Sequence, residues 1–140
     1  MRRLVLLLAI ASLVLSACAR EEEAARPTSP SPGATPTSDG VNDHGTKSFT
    51  TEEFSTELEL DDFYFEPTFI RAPGGSRATL ELFNEGSATH TFTIDALEID
   101  EELDPGARQT IQVNLGTETR YEFYCRFHSG QGMRGAFSLH

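Results

Sequence analysis

The sequence predicts an all-β fold, a sandwich of seven to eight short strands, from the placement of its aromatic residues and from its alternating pattern. All ten Phe and all three Tyr lie after residue 48, so the hydrophobic core must be built from residues 49–140, a block large enough to fold alone. Short runs of alternating apolar and polar residues follow one another there, separated by turn signals. No internal repeat and no amphipathic helix is found, which favours two packed sheets.

The strands can be followed in order, because side chains that alternate along a strand share one face. The predicted stripes are Leu58 and Leu60; Phe63, Phe65, Phe69 and Ile70; Leu80 and Leu82; His90, Phe92 and Ile94; Ile111, Val113 and Leu115; Tyr121, Phe123 and Cys125; and Phe137 and Leu139. Turns are predicted at residues 73–75, 84–86 and 104–106, where Gly, Pro and Asn cluster. Residues 97–103, rich in Asp and Glu, are ambiguous.

Residues 1–17 are predicted to be a signal peptide. Arg2 and Arg3 precede an apolar run, Leu4 to Leu15, that is too short to cross a bilayer. The run ends in Leu15-Ser16-Ala17-Cys18, which resembles the lipobox of bacterial lipoproteins. That resemblance implies a lipid on Cys18 and a location on the extracytoplasmic side of a bacterial membrane, periplasmic or at the cell surface.

Residues 18–48 are predicted to be a lipid-anchored, disordered linker. Three glutamates are followed by four of the seven prolines, interleaved with Ser, Thr, Gly and Ala. Such a composition cannot bury a core, and as a flexible coil it would hold the domain about 30 Å from its anchor. His44 falls in this stretch and is expected to be solvated and not a ligand.

The net charge of −11, from 11 basic and 22 acidic residues, argues against nucleic acid as a partner. The two cysteines, Cys18 and Cys125, lie in different contexts, so no intramolecular disulfide is expected. A lone cysteine in an exported domain needs a reason to stay unpaired, and a metal–thiolate bond provides one.

The last sixteen residues carry the strongest signal. Cys125, His128 and Met133 form a C-x2-H-x4-M pattern, and a thiolate, an imidazole and a thioether are a donor set that suits copper. His90 would complete a site of Cys, two His and a weak axial Met. Cys125, His90 and Met133 each extend an apolar stripe at the end of a predicted strand, so the three side chains should meet at one end of the sandwich.

Residues 124–135, Tyr-Cys-Arg-Phe-His-Ser-Gly-Gln-Gly-Met-Arg-Gly, resemble the copper loop of the plastocyanin-like cupredoxins. Asn84-Glu85-Gly86 leading to His90 resembles the segment that supplies the first histidine in that family. The resemblance covers about residues 56–140 and implies a Greek-key β-sandwich with one type 1 copper. No proline precedes His90 and none lies between Cys125 and His128, which departs from plastocyanins and argues against a photosynthetic partner.

The resulting hypothesis is an extracytoplasmic blue-copper electron carrier that cycles between Cu(I) and Cu(II) and is not an enzyme, since four protein ligands leave no open position. His90, Cys125, His128 and Met133 would hold the copper. Asn84 and Thr91 would steady the ligands. His128 would be the electron port, with Phe127, Gly130 and Gln131 in the docking rim, and Arg126 and Arg134 would place positive charge near the site.

Two alternatives stay open. The first is a copper chaperone or store with the same ligands, and the second is an adhesion or assembly lipoprotein that needs no metal. Zinc is less expected, because structural zinc sites usually contain several cysteines. Partners are expected to be redox proteins that meet a monomer tethered through Cys18. The sequence assigns no role to His140.

Overall fold

The computed structural model describes residues 35–36 and 40–140, and the regular secondary structure of this part is almost entirely β-strand. Its strands are β1 (Thr35–Pro36), β2 (Asn42–Asp43), β3 (Thr46–Ser48), β4 (Glu53–Asp61), β5 (Tyr64–Glu66), β6 (Phe69–Ala72), β7 (Arg77–Asn84), β8 (His90–Ile94), β9 (Ile99–Leu103), β10 (Arg108–Asn114), β11 (Arg120–Tyr124) and β12 (Arg134–Leu139). Short 3-10 turns cover Asp95–Leu97 and Ser129–Gln131. The all-β prediction is confirmed.

The strands form two mixed sheets that enclose one core. The first sheet has the order β1-β2-β5-β4-β7-β10 and the second β3-β6-β12-β11-β8-β9. Phe65 of the first sheet meets Phe92 and Phe123 of the second edge-on, at ring-centroid distances of 6.2 and 5.1 Å. All three rings are fully buried, and edge-to-face contacts of this kind add to the stability gained from burial. The molecule is therefore the predicted β-sandwich.

The longer strands follow the alternation read from the sequence. In β4 and β7 buried and exposed positions alternate, and the two strands pair in parallel with Leu58 opposite Leu82. β8 differs, because all five of its residues are buried. It lies between β9 and β11 in the second sheet, and it begins at His90.

The described part of the chain contains more strands than the seven to eight predicted. The predicted stripe from Phe63 to Ile70 is divided into β5 and β6. The other additional strands are β1, β2 and β3, which have two or three residues each. A period of two cannot be recognised over so few positions. The acidic stretch that was ambiguous in sequence folds as a 3-10 turn and β9, whose pattern alternates half-buried and exposed residues.

Residues 42–48, assigned to the linker by their composition, are part of the two sheets. Asp43 of β2 pairs with Phe65, and Thr46 to Ser48 of β3 pair in parallel with residues 69–71. The segment is bound to the sheets by backbone hydrogen bonds, and amino-acid composition does not indicate whether such bonds form. The signal peptide, Cys18 and the rest of the linker up to residue 34 lie outside the described residues.

His44 is not solvated as expected. Its ring stacks on Tyr64 with centroids 3.4 Å apart and planes within 3°, and its backbone N–H donates to Thr68 Oγ1 at 2.6 Å. His140, at the other end of the domain, donates its N–H to the carbonyl of Ala72. Within residues 40–140 there is no helix long and apolar enough to cross a membrane.

Candidate metal centre

His90 and Cys125 are brought together by adjacent strands of the second sheet. β8 begins at His90, β11 ends one residue before Cys125, and the two strands are paired with Tyr124 opposite Thr93. The backbone N–H of Thr91 donates to Cys125 Sγ at 3.4 Å. The sulfur lies 3.9 Å from His90 Nδ1, and both side chains are fully buried.

His128 lies on the loop between β11 and β12, close to His90 and Cys125. Hydrogen bonds between backbone groups of the loop hold it in place. The carbonyl of Cys125 accepts hydrogen bonds from the N–H groups of His128 and Ser129, at 3.2 and 2.8 Å. At the other end, the Cys125 N–H donates to the carbonyl of Met133 at 3.1 Å. Gly132 has a φ of 91°, a conformation that glycine adopts without strain. The loop therefore leaves β11 and enters β12 with its ends fixed.

Three donor atoms converge at this end of the sandwich. His128 Nδ1 lies 3.5 Å from Cys125 Sγ and 3.1 Å from His90 Nδ1, and the three atoms are all within 4.8 Å of one another. Nitrogen and sulfur ligands lie about 2.0–2.3 Å from a shared metal ion, so they are about 3–4 Å from each other. The separations fit one ion held by two imidazoles and a thiolate, the donor set of type 1 copper.

Met133 is the fourth residue of the predicted set. It is fully buried, directly before β12, and its backbone is bonded to both Cys125 and His128. Met133 thus lies at the end of the ligand loop, hydrogen-bonded through its backbone to two of the other three residues. Its role as a weak axial ligand stays a prediction.

The electrostatics favour a thiolate. Burial raises the pKa of the Cys125 thiol, but hydrogen bonds from His90 and from the backbone at Thr91, Phe127 and His128 outweigh it and lower this pKa to about 6. Burial likewise lowers the pKa of His90, yet its contacts with Cys125 and Asp62 outweigh burial and raise it. The two shifts share one cause, the contact between Cys125 and His90, and the lowered pKa of Cys125 favours its thiolate form. Thiolate is the form that binds metals.

Asn84 and Thr91, which were predicted to steady the ligands, both form hydrogen bonds close to the donor residues. The Asn84 side chain donates to the carbonyls of Ala88 and Leu103, each at 2.9 Å, and accepts from the Gly86 N–H at 2.9 Å. It thereby fixes the loop that leads into His90. Thr91 Oγ1 accepts the N–H of Arg126 at 2.8 Å, which ties β8 to the first residue of the ligand loop.

The outer face of the loop is accessible. Phe127 is 50% exposed, and among residues 40–140 it is the one large apolar side chain that is exposed. Gly130 and Gln131, on the same loop, are exposed as well, and His128 is half-buried. Arg126 differs from expectation, because its guanidinium is paired with Asp100 at 2.8 Å and Glu102 at 3.2 Å. Its positive charge is compensated locally. Arg134 instead donates to the carbonyl of Ser129 at 3.1 Å.

Two polar residues that contact the site or its loop were not predicted from the sequence. Asp62 Oδ1 lies 2.9 Å from His90 Nε2, and the side-chain amide of Asn42 donates to the carbonyl of Gln131 at 2.9 Å. Asp62 lies in a polar turn and Asn42 in a stretch of linker composition, so neither has a motif that marks it. Asp62 is ionised, because hydrogen bonds from the Ser87 hydroxyl and N–H lower its pKa to about 2.

The chain belongs to the cupredoxin-like domain family, whose family model matches residues 38–137. The match and the convergent His-Cys-His donors identify a type 1 copper domain. By sequence, the chain has no significant match among curated proteins.

Solved structures share the fold at low sequence identity. Auracyanin from the photosynthetic bacterium Roseiflexus castenholzii is 17% identical with a TM-score of 0.53, over 61% of this chain and 96% of that one. A haem-copper terminal oxidase has 18% identity and a TM-score of 0.54, over 61% of this chain and 64% of that one. The metal-binding domain of CopA, a Cu(I)-exporting ATPase of Streptococcus pneumoniae, has 15% identity and a TM-score of 0.53, over 69% and 94%.

Proposed function

We propose that the protein is a blue-copper electron carrier, in which His90, Cys125, His128 and Met133 hold one copper. The observation that carries the proposal is the convergence of His90 Nδ1, Cys125 Sγ and His128 Nδ1 within 4.8 Å in a cupredoxin-like domain. A bound copper supplies a one-electron couple between Cu(I) and Cu(II). The protein residues bind it, exclude water from it and give electrons a route to the surface.

The burial of the ligands supports a carrier. His90, Cys125 and Met133 are fully buried and lie on or directly beside paired strands, so their positions have little freedom to change. A rigid ligand set that serves both oxidation states keeps the structural rearrangement on electron transfer small. Four protein donors, with Met133 as the axial one, also leave no position for a substrate, which favours a carrier over an enzyme.

His128 is the proposed electron port. It is the half-buried ligand, and its ring lies beside Phe63 and Phe127, at centroid distances of 4.4 and 6.2 Å. The exposed Phe127 ring and the neighbouring backbone of Gly130 form an apolar rim. A redox partner that binds there can exclude water from the interface. An exposed aromatic residue of this kind is typical of interaction surfaces.

The localisation and partner proposals rest on the sequence. The leader and the lipobox-like Leu15-Ser16-Ala17-Cys18 support a lipid on Cys18 and an extracytoplasmic position. The partners would be redox proteins that meet the domain at the membrane surface. The strongly acidic composition favours a partner with a basic face.

A copper chaperone or store would use the same residues but would release the metal readily. The two functions are separated by two measurements on the copper-loaded chain: cyclic voltammetry, and transfer of Cu(I) to a competing chelator. A carrier gives a reversible one-electron couple and keeps its copper when the chelator is added. Rapid loss of Cu(I) to the chelator, without a reversible couple, would overturn the carrier proposal in favour of copper handling.

A further inference from the structure

Asp62 contacts a proposed ligand from outside the metal cluster. It follows β4, and its Oδ1 is 2.9 Å from Nε2 of His90, the ring nitrogen that faces away from the cluster. The carboxylate accepts a hydrogen bond, so Nε2 must carry the proton and donate it. In the neutral imidazole, which is the form that binds a metal, the remaining nitrogen, Nδ1, then directs its lone pair at Cys125 and His128.

The carboxylate is held in place by the turn that leads into β8. Its Oδ2 accepts hydrogen bonds from the Ser87 hydroxyl and from the Ser87 N–H, the latter at 2.9 Å. Its Oδ1 accepts the Ala88 N–H at 3.3 Å. Asp62 is thus fixed by residues that are close in sequence to His90, and its side chain is only 26% exposed.

Gly86 leaves the space that this contact needs. A Cβ at this position would lie 2.6 Å from Asp62 Oδ1 and 2.7 Å from His90 Nε2, closer than real Cβ atoms approach other heavy atoms. Any side chain would therefore push the carboxylate and the imidazole apart. The backbone of the turn is shaped around the Asp62–His90 hydrogen bond.

We propose that Asp62 is a positioning residue for the copper site, which fixes the tautomer of His90 and lowers the reduction potential of the bound copper. The inference rests on the proposed function, since it takes His90 as a copper ligand. A hydrogen bond from a ligating imidazole to a carboxylate orients the ring and makes it a stronger donor. A stronger, partly anionic donor stabilises Cu(II) more than Cu(I), so the potential falls.

The test compares Asp62→Asn with Asp61→Asn. Both substitutions remove one negative charge at adjacent positions, but Asp61 has no hydrogen bond with His90. It accepts hydrogen bonds from the Tyr64 hydroxyl at 2.8 Å and from the Asp62 N–H at 2.7 Å, and the amide oxygen of Asn can still accept the second of these. Asp62→Asn is expected to lower the preference of the site for Cu(II) over Cu(I) about tenfold, the lower end of the effects of outer ligand partners. For one electron this is a rise of about 59 mV in the midpoint potential. Asp61→Asn is expected to shift it much less.

A second readout needs no metal. In the copper-free chain at mildly alkaline pH, nitrogen-15 NMR of His90 should report the tautomer with hydrogen on Nε2, with slow exchange of that hydrogen. In Asp62→Ala the hydrogen on Nε2 should exchange faster, and the two tautomers of His90 should be mixed. Asp61→Asn should keep the slow exchange and the single tautomer. If Asp62→Ala does not fold, the near-isosteric Asp62→Asn still decides through its faster exchange.

Equal potentials in Asp62→Asn and Asp61→Asn, with an unchanged His90 tautomer, would overturn the assignment. A wild-type chain that forms no blue copper complex would instead overturn the proposed function. In that case the NMR of the copper-free chain would still show whether Asp62 holds His90.

Discussion

The side chain of Asn42 joins the start of the folded domain to the ligand loop, through a 2.9 Å hydrogen bond to the carbonyl of Gln131, 89 positions later. The same amide donates to the carbonyl of Phe63 at 2.8 Å, and the Asn42 N–H donates to the carbonyl of Gly132 at 2.9 Å. Asn42 therefore holds the ligand loop against the turn that carries Asp62.

Asn42→Ala is expected to lower the free energy of unfolding by about 1–3 kcal/mol, since two hydrogen bonds of the side chain are lost. Urea unfolding of the copper-free chain measures the change. Asn114→Ala is the matched control, because Asn114 contacts Arg77 at an exposed position and should stay within about 0.5 kcal/mol of wild type. Equal effects of the two substitutions would show that Asn42 does not clamp the loop.

Gly86→Ala is expected to weaken copper binding, because the new Cβ collides with Asp62 and His90. The loss should be about 10–100-fold, the range found when an outer partner of a metal ligand is disturbed. Competition with a Cu(I) chelator measures the affinity. Gly74→Ala is the control, since a Cβ at Gly74 meets nothing within 4 Å; a Gly86→Ala affinity as high as that of Gly74→Ala would rule out the collision.

Thr91→Val is expected to destabilise the domain by about 1–3 kcal/mol, because the N–H of Arg126 loses its acceptor while the shape of the side chain is retained. Thermal unfolding of the copper-free chain gives the change. Thr110→Val, at an exposed position of β10, should have little effect. No difference between the two variants would mean that the hydroxyl of Thr91 does not hold the loop.

Phe127→Ser is expected to slow electron transfer without changing the copper site, because Phe127 is exposed on the rim and is not one of the ligands. The electron self-exchange rate, measured by NMR on mixtures of oxidised and reduced protein, should fall at least several-fold. The visible spectrum and the potential serve as internal controls and should match wild type. An unchanged self-exchange rate would place the electron port elsewhere on the surface.

The sequence was most informative where side chains repeat with a strict period or spacing. The alternation in β4, β7 and β11 predicted which side chains face the core, and the spacing of Cys125, His128 and Met133 predicted the ligand loop. His90 lies 35 residues before Cys125. It was found because it stands at the first position of an apolar stripe, at the same end of the sandwich as Cys125. Periodicity predicted the fold, and periodicity and motif together predicted that His90, Cys125 and His128 lie close together. The position of the Met133 side chain stays a prediction.

The contacts around the ligands could not be predicted in the same way. Asp62 reaches His90 across 28 positions, and this depends on the path of a turn for which no periodic signal exists. The strands β2 and β3 are held by backbone hydrogen bonds, which any residue except proline can make. Composition alone therefore assigned them to the linker. The ion pairs of Arg126 likewise depend on β9 lying beside β8, which follows from the tertiary fold.

The visible absorption of the full chain during titration with Cu(II), beside that of Cys125→Ser, tests the central claim most directly. The expected result is an intense blue band from charge transfer between the Cys125 thiolate and copper. The band should saturate at one copper per chain and be absent in Cys125→Ser. A colourless complex, or a band that survives in Cys125→Ser, would contradict a blue-copper site formed by these residues.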